Sequence, residues 1–317
     1  MKKELYGMML KSILSCLLLG CFMFSGAAQT TSKEEYKDKY DRLVAKVGAS
    51  GIGVETLIKH WLREYPNDVD ALIGKFLYSY SKSQTSQVVG KTQKKYLGQE
   101  PVLTLADSLG TVTYYFEELF FNDILFKQAI SDIDRVIRLY PDRIDLRFYK
   151  VAAYTGYEKE SPIQAAAELT SIIDYNATQK PQWEHPEYVI NDDYFFSAIQ
   201  EYCIVYFKYA TDDGYAAFYN LTKRVLDYYP KNTMFLNNMG SYYLVARKDE
   251  KEAVKYYNMV LKLKKDDTTA IRSCILICRN SKDVKGEKKY LEMLVKYGET
   301  DIEKQAAQVR MDYLNSL

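Results

Sequence analysis

The sequence has few cysteines, histidines and prolines, and no excess of either charge. Its 317 residues include five cysteines, two histidines and seven prolines, and 43 basic side chains are balanced by 42 acidic ones. This balance argues against a nucleic-acid surface, which needs a basic face to neutralise phosphates. The low cysteine content indicates a fold that is held by apolar packing rather than by disulfide bonds.

The chain begins with a segment that is typical of export. A lysine-rich start precedes an apolar run at 13–24, and small residues follow at 25–28. This order is that of a secretory signal peptide, and the run is shorter than the roughly 20 residues of a membrane span. We expect cleavage after Ala28 or Ala27, so that residues 1–28 are removed. The product is then a periplasmic or outer-membrane-associated protein of a Gram-negative bacterium.

A second interpretation of this segment stays open. The sequence Leu18-Leu-Gly-Cys21 resembles the lipobox of bacterial lipoproteins, in which the cysteine is acylated and becomes the first residue. Against this interpretation, Phe22-Met-Phe24 follows where such proteins usually carry polar residues. Lipidation at Cys21 predicts association with the outer membrane.

Three cysteines remain beyond the predicted leader, at Cys203, Cys274 and Cys278. The last two are four residues apart in a predicted helix, and this spacing fits disulfide geometry poorly. No histidine or further cysteine lies nearby in the sequence to complete a zinc site. We expect three buried thiols that act as small apolar residues, with no metal and no cofactor.

The sequence motifs of common catalytic sites are missing. There is no G-x-S-x-G, H-E-x-x-H or C-x-x-C, and Gly48, Gly51 and Gly53 do not form G-x-G-x-x-G. His60 falls in a predicted helix and His185 in a predicted loop. An isolated histidine is more often a packing or surface residue than a ligand. These absences favour a protein that is not an enzyme.

Three pairs of adjacent acids are the remaining candidates for acid–base chemistry, at 117–118, 192–193 and 212–213. Their plainer role is to place negative charge at helix N-termini, where it is favoured by the helix dipole. The second and third pairs lie where predicted helices begin. We therefore expect structural rather than catalytic carboxylates.

Three tyrosine-proline pairs punctuate the chain, at Tyr65-Pro66, Tyr140-Pro141 and Tyr229-Pro230. Each pair closes one apolar helical pattern and is followed at once by another, because proline cannot continue a helix. The apolar periodicity predicts helices at 33–47, 54–65, 68–81, 123–140, 144–156, 162–175, 192–210, 213–229, 233–247, 250–264, 268–280, 284–297 and 301–316.

One stretch of the chain carries a recognisable repeat pattern. Between 236 and 261 the spaced residues are Leu236, Met239-Gly240, Tyr243, Ala253, Tyr257 and Val260. This pattern resembles the tetratricopeptide repeat, in which W-x2-L-G-x2-Y is followed by A-x3-F and then by proline. Residues 129–141 match the second half of the repeat. At 268–297 only the layout is kept, because Glu287-Lys288 replaces the alanine.

The resemblance implies an all-α fold: a right-handed superhelical solenoid of antiparallel helix pairs that runs as one domain over 29–317. The helix at 301–316 is then the C-terminal cap, and Thr300 begins it. Two segments break the pattern. Residues 82–121 are expected to be an irregular insertion with a β-hairpin near 101–116, since valine and aromatic residues flank an Asp/Gly turn. Residues 176–191 are expected to form a structured loop.

Solenoids of this family usually bind peptides or proteins in a concave groove, so the resemblance implies a non-enzymatic scaffold or adaptor with a protein partner. The groove positions that it implies are Asp145, Phe148, Asn237, Asn238, Ser241 and Arg272. The alternative is a glycan- or small-ligand-binding protein that uses the hairpin and the 176–191 loop.

Tyrosine is unusually abundant, with 30 residues in the chain. The repeat accounts for some of them, because it places aromatic residues where paired helices meet. Exposed tyrosines are also used by peptide- and glycan-binding surfaces, since they combine a flat apolar ring with a hydroxyl group. The sequence does not divide the tyrosines between these two roles.

Overall fold

The computed structural model describes residues 31–316, which are mostly helical and include one small sheet. The predicted leader, residues 1–28, lies outside the described residues. The helices are α1 (Lys33–Val47), α2 (Val54–Glu64), α3 (Val69–Lys82), α4 (Asp123–Leu139), α5 (Ile144–Glu158), α6 (Ile163–Gln179), α7 (Asp192–Tyr209), α8 (Asp212–Tyr228), α9 (Thr233–Val245), α10 (Glu250–Leu263), α11 (Thr268–Asn280), α12 (Val284–Tyr297) and α13 (Asp301–Asn315). The strands are β1 (Gln84–Lys91), β2 (Leu103–Ala106) and β3 (Val112–Phe121).

Each helix predicted from the sequence is present, and the ends differ by a few residues. The largest difference is in α6, which continues to Gln179 and so shortens the predicted loop at 176–191. Between residues 31 and 316, none of the helices combines the length and the apolar character that a membrane span requires.

The tyrosine-proline pairs form one recurring turn. Tyr65, Tyr140 and Tyr229 are the C-cap residues of α2, α4 and α8, with φ between −132° and −126° and ψ between 64° and 76°. Proline disfavours the helical conformation in the residue before it, so the helix ends there. Each tyrosine carbonyl then accepts the backbone N–H three residues later, which closes a turn into the next helix. Lys264 forms the same turn without a proline.

The adjacent acids divide between helix starts and the sheet. Asp192-Asp193 and Asp212-Asp213 open α7 and α8, as predicted. The helix-start role is wrong for Glu117 and Glu118, which lie in β3, where successive side chains point to opposite faces. Glu117 is exposed, whereas Glu118 is buried and forms ion pairs with two lysines. The two carboxylates therefore do not form an acid–base couple.

The chain divides into two compact units, and the first contains α1–α5, the sheet and the loop 181–191. One of its apolar clusters surrounds Trp61, where α1, α2 and α3 meet. Another contains Phe76 and Ile133, which lie between α3, α4 and α5. Phe121 at the end of β3 packs against Phe126 of α4 with ring centroids 5.6 Å apart, which joins the sheet to the helices.

The sheet is antiparallel, with the strand order β1–β3–β2. The hairpin predicted near 101–116 is confirmed as β2 and β3, and Asp107 accepts backbone N–H groups from Leu109 and Thr111 in its turn. The prediction that the 82–121 insertion is irregular outside the hairpin is wrong for residues 84–91, which form β1 along the other side of β3. The polar composition of this segment hides the strand from prediction by sequence, because strands are usually rich in β-branched and aromatic residues. An edge strand that faces solvent tolerates more polar residues.

The second unit contains residues 160–180 and 192 onward, which form α6–α13. From α7 to α13 each helix packs against the next one in the chain. A continuous apolar core runs from α9 to α13 and includes Leu236, Tyr257, Ile271 and Leu291. The last helix, α13, is capped by the Thr300 hydroxyl, as predicted.

A close contact between α9 and α10 explains the glycine of the repeat pattern. A Cβ on Gly240 would lie 2.6 Å from Cε1 of Tyr257, whose ring is buried. We expect Gly240→Ala to lower the free energy of unfolding by about 1–2 kcal/mol, because overpacking outweighs the better helix propensity of alanine. Urea unfolding monitored by circular dichroism measures this change. In a Tyr257→Leu background, Gly240→Ala is expected to leave the free energy of unfolding unchanged. An equal loss of stability in that background contradicts a steric contact with the Tyr257 ring.

Candidate functional site

The two predicted groove asparagines on α9 contact other polar side chains of the second unit. Asn238 is buried and exchanges hydrogen bonds with Gln200 of α7: its Nδ2 donates to Oε1 at 2.5 Å and its Oδ1 accepts from Nε2 at 2.8 Å. Asn237 donates from Nδ2 to Oδ1 of Asp267, at 3.1 Å. These amides therefore join neighbouring helices, which is a structural role.

Ser241 and Arg272 also contact polar side chains of the second unit. The Ser241 hydroxyl lies 3.3 Å from the hydroxyl of the buried Tyr257. Arg272 donates to both carboxylate oxygens of Glu303 on α13, at 2.6 and 3.0 Å, and reaches Glu299 at 3.3 Å. These carboxylates, Glu303 first, raise the pKa of Arg272 above its ordinary value. The charge of Arg272 is thus already compensated on the protein.

The remaining two predicted residues lie on α5 in the first unit. Phe148 is half-buried, and Asp145 is buried. Both carboxylate oxygens of Asp145 accept from the Arg143 guanidinium at 2.8 Å. This bidentate bond raises the pKa of Arg143 above its ordinary value.

The predicted loop forms a shallow depression beside this ion pair. Glu184 donates its backbone N–H to Asp142 and accepts from the N–H of Ile144, which fixes the loop to the start of α5. The depression has a volume of about 460 Å³ and is lined by Arg143, Trp183, Glu184, His185, Pro186, Tyr188, Val189 and Ile190. Trp183 is half-buried, and the Arg147 guanidinium lies 5.5 Å from its ring centre. Burial lowers the pKa of His185 below its ordinary value.

The structure divides the tyrosines that the sequence left unassigned. Several are core residues, namely Tyr36, Tyr40, Tyr80, Tyr202, Tyr206, Tyr257 and Tyr290. Four half-buried tyrosines of the second unit form a separate group, which we call the tyrosine cluster: Tyr219 on α8, Tyr242 and Tyr243 on α9, and Tyr256 on α10.

The rings of the tyrosine cluster form one continuous contact across three helices. The ring centroids of Tyr219 and Tyr242 are 4.7 Å apart, and those of Tyr242 and Tyr243 are 5.5 Å apart at nearly a right angle. Tyr243 then stacks on Tyr256, with centroids 5.5 Å apart and planes 11° apart. Only the Tyr243 and Tyr256 rings cover each other face to face, while the other two contacts are tilted or edge-on.

The hydroxyl groups of the tyrosine cluster keep some contact with solvent. None of the four donates to or accepts from another residue within 31–316, and none is a buried atom. Burial of the rings raises the pKa of Tyr243 and Tyr256, and the neighbouring tyrosines and Glu252 raise it further. These two hydroxyls therefore stay protonated near neutral pH, and each can donate one hydrogen bond and accept another.

The sequence pattern marks only one member of this cluster. Tyr243 stands at the tyrosine position of the repeat, which predicts a role in helix packing. Tyr219, Tyr242 and Tyr256 carry no motif. The available signal was the high tyrosine content itself, because it exceeds what the repeat positions require.

The three cysteines agree with the prediction of buried free thiols. Burial raises the pKa of Cys203 to about 12, so its thiol is unreactive near neutral pH. In the part of the chain that the structure describes, no group of three or more histidine, cysteine or acidic side chains is arranged to hold a metal ion.

The chain matches no protein-family model. Its sequence also matches none of the curated proteins. The residues and their geometry are therefore the basis for inferring its function.

Proposed function

We propose that this chain is an exported, non-enzymatic scaffold that binds a protein partner through the tyrosine cluster. The single observation that carries this function is the row of hydroxyls at Tyr219, Tyr242, Tyr243 and Tyr256, which have no hydrogen-bond partner within residues 31–316. Tyrosine is enriched in protein interfaces because it offers large contact area together with a hydrogen-bonding group. An extended peptide segment suits such a row, since its backbone carbonyls accept from hydroxyls and its side chains contact the ring edges.

We further propose that the helix pairs form a right-handed solenoid of the tetratricopeptide type. Three observations support it: the recurring turn after the tyrosine-proline pairs, the packing of α7–α13 in chain order, and the fit of Gly240 against Tyr257. In such a solenoid the partner binds along one face of the array. The export of the scaffold to the periplasm or outer membrane rests on the leader at 1–28 alone.

The test is to remove hydroxyls from the cluster without changing its packing. The tagged full chain is expressed with its own leader, crosslinked in the cell and analysed by mass spectrometry. We expect one stoichiometric protein whose crosslinks map to α8–α10. The double variant Tyr242→Phe, Tyr256→Phe should weaken binding of that protein by about 10- to 100-fold, because two hydrogen bonds are lost.

The matched control is Tyr313→Phe, which removes the hydroxyl of an exposed tyrosine on α13. It should leave binding unchanged. Equal weakening by the control and the double variant contradicts a specific role for the cluster, and recovery of no partner contradicts the scaffold function.

The depression beside the Arg143–Asp145 ion pair favours one alternative, a binding site for a glycan or small ligand. Trp183 and Tyr188 offer aromatic surface there. The β2–β3 hairpin offers less exposed aromatic surface for a ligand than the sequence predicted, because Phe116 is buried against Tyr96. If no protein partner is found, a glycan and small-ligand screen comparing the wild type with Trp183→Ala tests this alternative.

A further inference from the structure

The outer edge of β1 has no pairing partner in the described chain. Asn122 donates to the Ser83 carbonyl at 2.8 Å, in register with the β1–β3 ladder. Hydrogen-bonded pairs alternate in an antiparallel ladder, so Thr85, Gln87 and Val89 bond to β3. The backbone groups of the alternate residues, 84, 86, 88 and 90, therefore point away from β3. Within residues 31–316 no other segment pairs with them.

This edge lacks the features that usually protect an edge strand. Residues 84–90 contain no proline and no charged side chain, and most of them are exposed. The first charge on the strand is Lys91, which is already paired with Glu118. One sheet face beside the edge carries three exposed apolar side chains, Val88, Leu103 and Leu105, which are 62, 48 and 49 % exposed. The same face also carries the exposed carboxylate of Glu117, which accepts a hydrogen bond from the Ser86 hydroxyl at 2.7 Å.

The three apolar side chains lie on the same face, because their partners in β3 are residues 117, 115 and 113. On this face the ring of Tyr115 covers Gly90, where an added Cβ would lie 3.3 Å from Cε1. At Gly90 this face therefore has no side chain next to the free edge, so none at this position obstructs a second strand that pairs there.

We propose that β1 pairs with β1 of a second copy of this chain, in an antiparallel arrangement with the two-fold axis at Gln87. This register places residue 84 opposite 90 and residue 86 opposite 88, so that the outward backbone groups meet one another. No charge faces a like charge, because 84–90 is uncharged. The axis is perpendicular to the sheet, so the faces that carry Val88 lie on the same side in both copies. The pairing is independent of the tyrosine cluster.

The first test is the oligomeric state of the full chain, expressed with its own leader, by sedimentation over a range of concentrations. We expect a concentration-dependent dimer. Val88→Pro removes an outward N–H but no bond to β3, so it should raise the dissociation constant by about 10- to 100-fold and leave the secondary structure unchanged. A chain that stays monomeric, or a dimer that Val88→Pro leaves intact, overturns the proposal.

The second test fixes the register by disulfide trapping. The axis at Gln87 places this residue opposite its own copy in a non-hydrogen-bonded pair, where Cα atoms are about 4.5 Å apart and a disulfide fits. Under oxidation Gln87→Cys should give a covalent dimer on a non-reducing gel. Thr85→Cys is the matched control, because Thr85 is equally exposed on β1 but faces Val89 of the other copy. Equal crosslinking of both variants, or of neither, overturns the proposed register and pairing.

Discussion

Replacing Trp61 by alanine is expected to lower the free energy of unfolding by about 3–5 kcal/mol, the largest effect of any single substitution proposed for this chain. Trp61 is 1 % exposed and joins α1, α2 and α3. Its ring stacks on Tyr36, with centroids 5.8 Å apart, and contacts Tyr40 at 6.2 Å. The substitution removes these contacts and leaves a cavity that rigid helices fill only partly. Urea unfolding followed by circular dichroism measures the loss.

Two further variants test whether the loss of stability comes from the buried Trp61 ring. The indole Nε1–H of Trp61 is buried without a hydrogen-bond partner among the described residues, so Trp61→Phe breaks no hydrogen bond. We expect it to cost about 1–2 kcal/mol. His60 is the adjacent residue and is exposed, so His60→Ala should change stability by less than about 0.5 kcal/mol. A similar loss for His60→Ala and Trp61→Ala contradicts this assignment of the core.

Replacing Glu287 by alanine is expected to cost about 2–3 kcal/mol in the second unit. Glu287 is 2 % exposed, and its carboxylate accepts hydrogen bonds from two arginines. Arg279 on α11 donates at 3.0 Å, and Arg310 on α13 donates at 2.9 and 3.1 Å. Glu287 thus ties three consecutive helices together. Glu292→Ala, which removes an exposed carboxylate from the same helix, is the matched control and should change stability by less than about 0.5 kcal/mol.

The contribution of Glu287 is also expected to depend on pH. The hydrogen bond from Arg310, with that from Arg279, holds the pKa of Glu287 below its ordinary value despite burial. A depressed folded-state pKa means that the stabilisation is complete above the unfolded pKa of about 4.3 and is lost as the pH falls through the lower, folded value. The stability difference between wild type and Glu287→Gln should therefore be constant from about pH 5 to 8 and shrink below about pH 4. A difference that grows on acidification contradicts the ion-pair explanation.

The helices were predicted well from the sequence because their ends are set by residues that are close in the chain. Proline after Tyr65, Tyr140 and Tyr229 restricts the preceding backbone whatever the surroundings, so each helix ends where the pair stands. Side chains that cap helices act over three residues, as Thr300 does on Glu303. The turn at Lys264, which has no proline, shows that the same geometry also forms without this signal.

The strand β1 was missed because its stability is not local. The segment 84–91 is rich in polar residues and carries no turn signal of its own. It becomes a strand because β3 offers a long ladder on that side, with eight residue pairs from Gln84 to Lys91. The same cause explains Glu118: a buried carboxylate in a strand is tolerated only because Lys91 and Lys159 reach it from elsewhere in the chain.

The groove residues implied by the repeat pattern illustrate a second limit. Helical spacing placed Asn238 and Arg272 on helices, but spacing does not report whether a side chain is already satisfied. Gln200 lies 38 residues from Asn238, and Glu303 lies 31 residues from Arg272, so neither contact has a local signature. The hydroxyls of the tyrosine cluster differ from these groove residues, because they have no hydrogen-bond partner within residues 31–316. The rings of the cluster pack on one another, and only the relative positions of α8, α9 and α10 produce this arrangement.

The sequence by itself determined the helices, their ends, the β2–β3 hairpin and the burial of the thiols, because capping, proline and apolar periodicity act within a few residues of one another. The tertiary structure decided which polar groups are consumed by internal contacts and which stay available, because that depends on partners brought together from distant parts of the chain. The hydroxyls of the tyrosine cluster and the free edge of β1 are known only in this way.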